Sequence, residues 1–228
     1  MSLNKQKCDP ELGLRVHEHL VSLGLQTPMS EAQVAYSIKQ KIDIIEQNFT
    51  NIMETLGLDL EDDSLMESPK RVAKMYVTEI FYGLDTDTFP KCTAIDNKFK
   101  ADEMIVERNI NVKTTCEHHF AVIDGLATVG YIPGNKVIGL SKMNRLVEYF
   151  SKRPQVQERL TMQIHAAMCF ILETEHVAVM IDAKHYCVAS RGIEDTGSFT
   201  TTSKLSGAFK DPAEGARAEF MAIANSSK

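Results

Sequence analysis

Two short stretches of the chain carry Cys and His at spacings suited to a metal ion. In TTCEHHF, residues 114–120, Cys116 and His119 are separated by two residues. On a tight turn that spacing brings a thiolate and an imidazole to one ion, at zinc distances of about 2.0 to 2.3 Å. In AKHYCV, residues 183–188, strand alternation puts Val177, Val179, Ile181, Ala183, His185 and Cys187 on one face, so an apolar face ends in a His and a Cys. Each motif alone has a bland reading, a turn with solvent-facing histidines in the first case and a core Cys beside a satisfied His in the second. Together they offer the soft donors, in the number, that zinc prefers. Three protein ligands would leave a fourth position open, which is the catalytic and not the closed structural pattern. Cys8, Cys92 and Cys169 read as structural or incidental.

A second signal is electrostatic. Ser141 reads as the N-cap of a helix beginning SKMNRLVEYF, with Lys142 and Arg145 in its first turn. Cations oppose the helix dipole there, and free backbone N–H groups beside them make a natural phosphate site. Ser68-Pro69 repeats the pattern with Lys70 and Arg71, and Arg191 follows Cys187 closely. One such helix would be a solvated surface feature; the repetition points to an anionic ligand with several charges. There is no G-x-x-x-x-G-K-[ST], no G-x-G-x-x-G and no H-x-E…P-C-x-x-C, so a P-loop, a dinucleotide fold and a zinc deaminase all lack their signatures. In PQVQERL, Glu158 stands early in a helix, either as a dipole-favoured surface residue or as a carboxylate that reads a guanidine-like edge through paired hydrogen bonds.

The elements that must position these residues follow from hydrophobic period. Residues 11–24 read as a short helix with Leu12, Val16 and Leu20 on one side, broken by Thr27-Pro28. Val34, Ile38, Ile42, Ile45, Phe49, Ile52, Met53 and Leu56 step by three and four and predict a long amphipathic helix from about 32 to 56, ended by Gly57. A further helix starts with Ser68 as N-cap and Pro69 in the first position and stops at Gly83. Segments 93–99, 103–115 and 120–132 are rich in Val, Ile and Thr and predict antiparallel strands, with turns at Asp124-Gly125 and Pro133-Gly134. Two helices follow, about 141–152 and 154–173, then a strand through HVAVMIDAKHYCV, a polar strand near 197–204 and a helix near 213–225. The order predicts an α+β fold, a mostly antiparallel sheet with helices packed on one face, in which residues 1–88 form a helical extension and 89–228 the main domain.

Composition narrows the function. The 228 residues are 43% hydrophobic and 25% charged, which is ordinary for a globular chain. Net charge is -6, aromatics are 7% and Trp is absent, so a nucleic-acid surface is not expected and any polyanion must be held by a local basic cluster. No apolar run reaches the length of a membrane span, and MSLNKQKCDPELGLRV has no signal-peptide core. Five Cys with no export signal predict a reduced, cytoplasmic protein.

The stretches SLMESPKRVAKMYVTEIF, TTCEHHF, IGLSKMNRLVEYFSKRPQVQERLT and HYCVASRGI, in this order, resemble the bacterial, zinc-dependent form of the GTP cyclohydrolase I family, and the resemblance covers most of the chain from about residue 37. It implies the tunnelling fold (T-fold) and a homodecamer of two pentamers with active sites at subunit boundaries, where cooperativity is possible. It implies zinc on Cys116, His119 and Cys187, His118 as acid/base and His185 beside the reacting ring. Ser141 is a further proton handler on the same ground. Glu158, with Gln157 next to it, would hold the guanine edge, and Ser141, Lys142, Arg145, Arg191 and Arg71 the triphosphate, Arg71 reaching in from a neighbour. The implied reaction is hydrolytic opening of the guanine imidazole ring of GTP, loss of formate and rearrangement to 7,8-dihydroneopterin triphosphate, the first step of folate and pterin synthesis. Two rivals share parts of the pattern. Other tunnelling-fold enzymes bind zinc through three His or use a nucleophilic Cys with a nicotinamide cofactor. A zinc-stabilised protein that captures guanine nucleotides without turnover would need its metal in order to fold.

Overall fold

Hydrophobic period changes along the chain from helical to alternating and back, and the computed structural model, which describes residues 5–30, 36–211 and 215–226, follows it. Helix α1 (Pro10–Ser22) starts where Asp9 accepts a hydrogen bond from the Leu12 N–H at 3.1 Å, and it buries Val16 and Leu20. Helix α2 (Ile38–Thr55) is opened by a reciprocal cap between Ser37 and Gln40. The predicted start near 32, with Val34, lies outside the described residues. Helix α3 (Ser68–Met75) runs on through a π-helical turn, Tyr76–Ile80. Ser68 is not its cap. The chain already curls before it, the Ser68 N–H donating to Leu65 O at 2.9 Å, so Glu67 takes the cap position and Ser68 is the first helical residue.

Gly83 does not simply stop that helix. It lies in a short 3-10 turn (Tyr82–Leu84), and a Cβ there would stand 2.3 Å from Tyr149 O and 2.8 Å from Lys152 O. Only a glycine lets this turn donate its N–H to Lys152 O at 2.9 Å.

Strand β1 (Ile95–Asp96) pairs with β4 (Lys136–Val137) in a small ribbon. The main sheet contains β2 (Ile105–Cys116), β3 (Val122–Tyr131), β5 (Pro154–Gln155), β6 (Val177–His185) and β7 (Thr200–Leu205), in the order β5-β2-β3-β6-β7. All pairs are antiparallel except β5 with β2. The predicted turn at Asp124-Gly125 is instead mid-strand, with Gly125 opposite both Val112 and Ala183. A Cβ at Gly125 would meet Asp182 O at 2.3 Å, so this glycine permits close strand approach and makes no turn.

Helices α4 (Leu140–Ser151) and α5 (Gln157–Leu172) cover one face of the sheet. There Val177, Val179, Ile181 and Ala183 are fully buried with Ile110, Val112, Leu146, Phe150, Leu160 and Ile164. Val16 and Leu20 of α1 join the same core, so α1 is packed onto the sheet-covering layer. The C-terminal helix α7 (Ala216–Asn225) is an addition on the opposite face, where Ala178 and Met180 meet Phe209 and Phe220. Residues 212–214, where its predicted start falls, lie outside the described residues.

Candidate metal centre and nucleotide site

The site is assembled where β2 ends, β3 begins, β6 ends and α5 begins. Cys116 is the last residue of β2 and is buried. The turn after it is closed by Cys116 N–H to Ala121 O at 2.8 Å and Phe120 N–H to Cys116 O at 2.9 Å. Phe120 takes the left-handed conformation, φ 49°, that the turn requires. The Glu117 N–H donates to Gln155 O at 3.0 Å and ties the turn to β5.

Strand alternation does not continue to Cys187. β6 ends at His185, opposite Ile123, one residue from the start of β3. With almost no partner strand left, the chain curls into a single helical turn, α6 (Tyr186–Ala189), which carries Cys187. Cys187 still reaches the CEHH turn. The donor atoms of Cys116, His119 and Cys187 all lie within 4.8 Å of one another. A tetrahedral zinc with bonds of about 2.0 to 2.3 Å needs donors roughly 3.3 to 3.8 Å apart, so a small closure suffices. Two thiols and an imidazole, with His119 exposed and Cys187 half-buried, fit a soft divalent ion that keeps an open position. Burial, and then the neighbouring Cys116 thiol, pushes the Cys187 thiol up.

Other predicted residues converge on the same end of the sheet. His118 Nδ1 is 3.7 Å from Cys116 Sγ, and Arg191 Nη1 donates to His119 Nε2 at 3.0 Å. His185 is held by Gln157, with Nε2 to Oε1 at 2.7 Å. Burial pushes His185 down, and the Glu158 charge opposes that shift from close by. Glu158 is the second residue of α5 and exposed, free to face a ligand. Gln157 is different. Its side chain is buried, and its amide donates to Ile181 O, Thr200 O and Thr202 Oγ1 at 3.1, 2.8 and 3.1 Å.

The basic end of α4 is not brought to this cluster within one chain. Gly139 holds the cap position, so Ser141 is the second helical residue and not the N-cap. Its helix runs from the Glu107 end of β2, where Asn144 bonds Glu107 at 3.2 Å, toward the Cys116 end, where Pro154 pairs with Thr115. At a rise of 1.5 Å per residue, Ser141 stands about 15 Å of helix from Ser151, before three more residues reach Pro154. Lys142 shares that far end, Arg145 lies in the second turn and not the first because the helix begins at Leu140, and Arg71 is exposed in the first turn of α3.

Two supports of the site carry no sequence signal. Arg159 binds Glu117 through two hydrogen bonds, 2.7 and 2.9 Å, and holds its carboxyl below the usual carboxylate range. The pair is 42 residues apart, and an isolated Glu and Arg give no hint of it. Phe120 packs against Phe81 and Tyr76 at 5.6 and 6.1 Å between ring centres, which ties the turn to the π-helical end of α3. The aromatic residues were visible; their meeting was not.

Fold and site define an α+β protein in which Cys116, His119 and Cys187 could hold a metal ion, with His118 beside Cys116 and with His185 and Glu158 close to each other. The GTP cyclohydrolase I family model matches residues 45–225. A GTP cyclohydrolase 1 of Erwinia tasmaniensis is 55% identical over 206 residues, 90% of this chain and 93% of that protein. Proteins of the same name from Klebsiella pneumoniae and Salmonella arizonae are 55% and 54% identical, each over 90% of this chain and 92% of their own. The chain belongs to the GTP cyclohydrolase I family, and its α+β architecture is consistent with that family's tunnelling fold.

Proposed function

We propose that this protein is a GTP cyclohydrolase I that opens the guanine imidazole ring of GTP, releases formate and rearranges the remainder to 7,8-dihydroneopterin triphosphate. Family membership supports the reaction, and the convergence of Cys116, His119 and Cys187 beside His118 is the observation that carries the site assignment. Zinc held by those three residues would supply the Lewis acidity that makes water nucleophilic near neutral pH. Carbon 8 of guanine is a poor electrophile until nitrogen 7 is protonated, and His118, an exposed imidazole at the edge of the cluster, is suited to that transfer. Addition of water at carbon 8 opens the ring to a formamide, and a second hydrolysis frees formate. The ribose then becomes an open-chain ketose and closes on the exposed amines, with His185 and Ser141 as proton handlers. Glu158 reads the guanine edge, and Lys142, Arg145, Arg191 and Arg71 take the triphosphate together with the Ser141 end of α4.

The distance of the α4 N-terminus from the Cys116 cluster supports a site completed by a neighbouring subunit, and we assign a homodecamer of two pentamers. Its interfaces have apolar surface to use: Ile38, Ile52 and Leu56, at helical spacing along α2, are 57%, 50% and 72% exposed in the single chain. Residues 1–88 act as the helical extension and 89–228 as the catalytic unit. Free thiols at Cys92, Cys116, Cys169 and Cys187 support a reducing, cytoplasmic location. Among the described residues no helix is long and apolar enough to cross a membrane.

The test is to incubate zinc-loaded protein with GTP, quantify formate and look for a fluorescent pterin after mild oxidation. Equal amounts of both are expected. Formate alone would confine the activity to ring opening, and neither product with zinc bound would overturn the proposal.

A further inference from the structure

Gln157 is placed by the family resemblance at the guanine edge, yet its side chain is 1% exposed and every polar atom of it is committed inside the protein. The direction of those bonds can be worked out. Ile181 O and Thr200 O are main-chain carbonyls and only accept, so the NH2 group of Gln157 must face them. Thr161 Oγ1 donates its one proton to Gln157 O at 2.9 Å. In the 2.7 Å contact between Thr161 and Thr202, Thr202 is then the donor. Thr202 Oγ1 keeps its lone pairs for the Gln157 NH2 at 3.1 Å. The chain of bonds is closed and runs one way, ending on a main-chain carbonyl. Turning the amide over would set Oε1 against two carbonyl oxygens and an NH2 against His185.

Gln157 Oε1 therefore faces His185 Nε2 at 2.7 Å as an acceptor. An amide oxygen offers no proton, so Nε2 must carry one, and in the neutral ring Nδ1 is then bare. We propose that Gln157 is a positioning residue, which through its bonds to Ile181, Thr200 and Thr202 holds His185 as the Nε2–H tautomer and leaves Nδ1 as the nitrogen that can accept a hydrogen bond from the reacting species. Orientation by an outer hydrogen bond is the usual way in which a histidine's working nitrogen is chosen.

The deciding measurement is a 15N solid-state spectrum of the sedimented, zinc-loaded protein with labelled histidine, taken at about pH 8.5, two units above the ordinary histidine value, so that only the tautomer is read. His185 is assigned by difference with His185→Asn. A protonated Nε2 and a bare Nδ1 are expected, whereas a protonated Nδ1 overturns the proposal without the need for any change at Gln157. A Gln157→Met variant should lose that single state and give a mixed or shifted ring signal. The kinetic consequence rests on the cyclohydrolase reading: kcat for pterin formation should fall about tenfold or more, with KM for GTP changed less than about threefold. A raised KM with kcat retained would make Gln157 a substrate contact and sink the positioning role. If no turnover exists at all, the cyclohydrolase reading fails while the spectrum still decides the tautomer.

Discussion

The Arg159–Glu117 pair offers a way to measure how much of the metal centre is built by its supports. Glu117 stands between Cys116 and His118, and Arg159 follows Glu158 on α5, so the pair joins the proposed metal turn to the proposed guanine-reading helix. The two side chains are 15% and 27% exposed, and both hydrogen bonds are short. Bonds to charged groups contribute about 1.5 to 3 kcal/mol when shielded; partial access of solvent reduces the pair to about 1 to 2 kcal/mol. If that energy restrains the turn in the ligand-ready geometry, its loss corresponds to roughly a five- to thirtyfold weaker zinc affinity, in the range usual for outer-shell partners. Arg159→Ala and Glu117→Gln should each show this in competition with a chromophoric chelator. The double variant should be little worse than the poorer single one, because the two remove the same interaction. The acid limb of stability carries the same signature. The folded Glu117 carboxyl lies below its unfolded value, so its stabilisation is present above the usual carboxylate range and fades as pH falls through the folded value; Arg159→Ala should flatten that limb. Unchanged zinc affinity in both single variants would show that the backbone bonds of the turn suffice alone and would refute the reasoning.

Other perturbations separate chemistry from scaffold. His118→Ala should retain zinc and GTP but fail to open the ring, as read by metal analysis, equilibrium dialysis and formate release; full turnover would remove His118 from acid/base duty. Glu158→Ala should raise KM for GTP and narrow discrimination against ATP, and unchanged discrimination would mean the purine edge is read elsewhere. His165 lies buried in α5 with Nε2 2.7 Å from Ser206 Oγ, and burial, with the Lys204 charge, pushes it down to about 4. The unfolded chain takes up that proton first, so stability should fall as pH drops from about 6.5 toward 4, by up to about 3 kcal/mol, and His165→Gln should flatten this stretch in denaturant titrations. Gly83→Ala should destabilise the fold by about 2 kcal/mol or more, measured the same way, because the backbone at Tyr149 and Lys152 has nowhere to go.

The residues that carry the proposed chemistry were legible in the order of amino acids, because metal ligands and phosphate-binding cations are set by side-chain type and short spacing. Cys116 and His119 needed only a turn, and the helices and long strands needed only their hydrophobic period. Four local readings failed because the backbone around each residue, near or distant in sequence, overrides the preference of its type. Asp124-Gly125 resembles a turn, yet β2 and β6 on either side keep it extended. Ser141 and Ser68 resemble caps, yet Gly139 and Glu67 hold the cap positions, at Ser68 because the preceding turn begins the helix a residue earlier. Cys187 matched a strand position, yet β6 runs out of partner one residue into β3. What tertiary structure alone decided is which groups meet. Arg159 on Glu117, Phe120 on Tyr76 and Phe81, and Gln157 on His185 join residues 28 to 44 apart, and no periodicity in a chain encodes a pairing at that range. It also decided what does not meet: the basic end of α4 and the Cys116 cluster stand at opposite ends of one helix, because α4 must lie along β2 to bury Leu146 and Phe150.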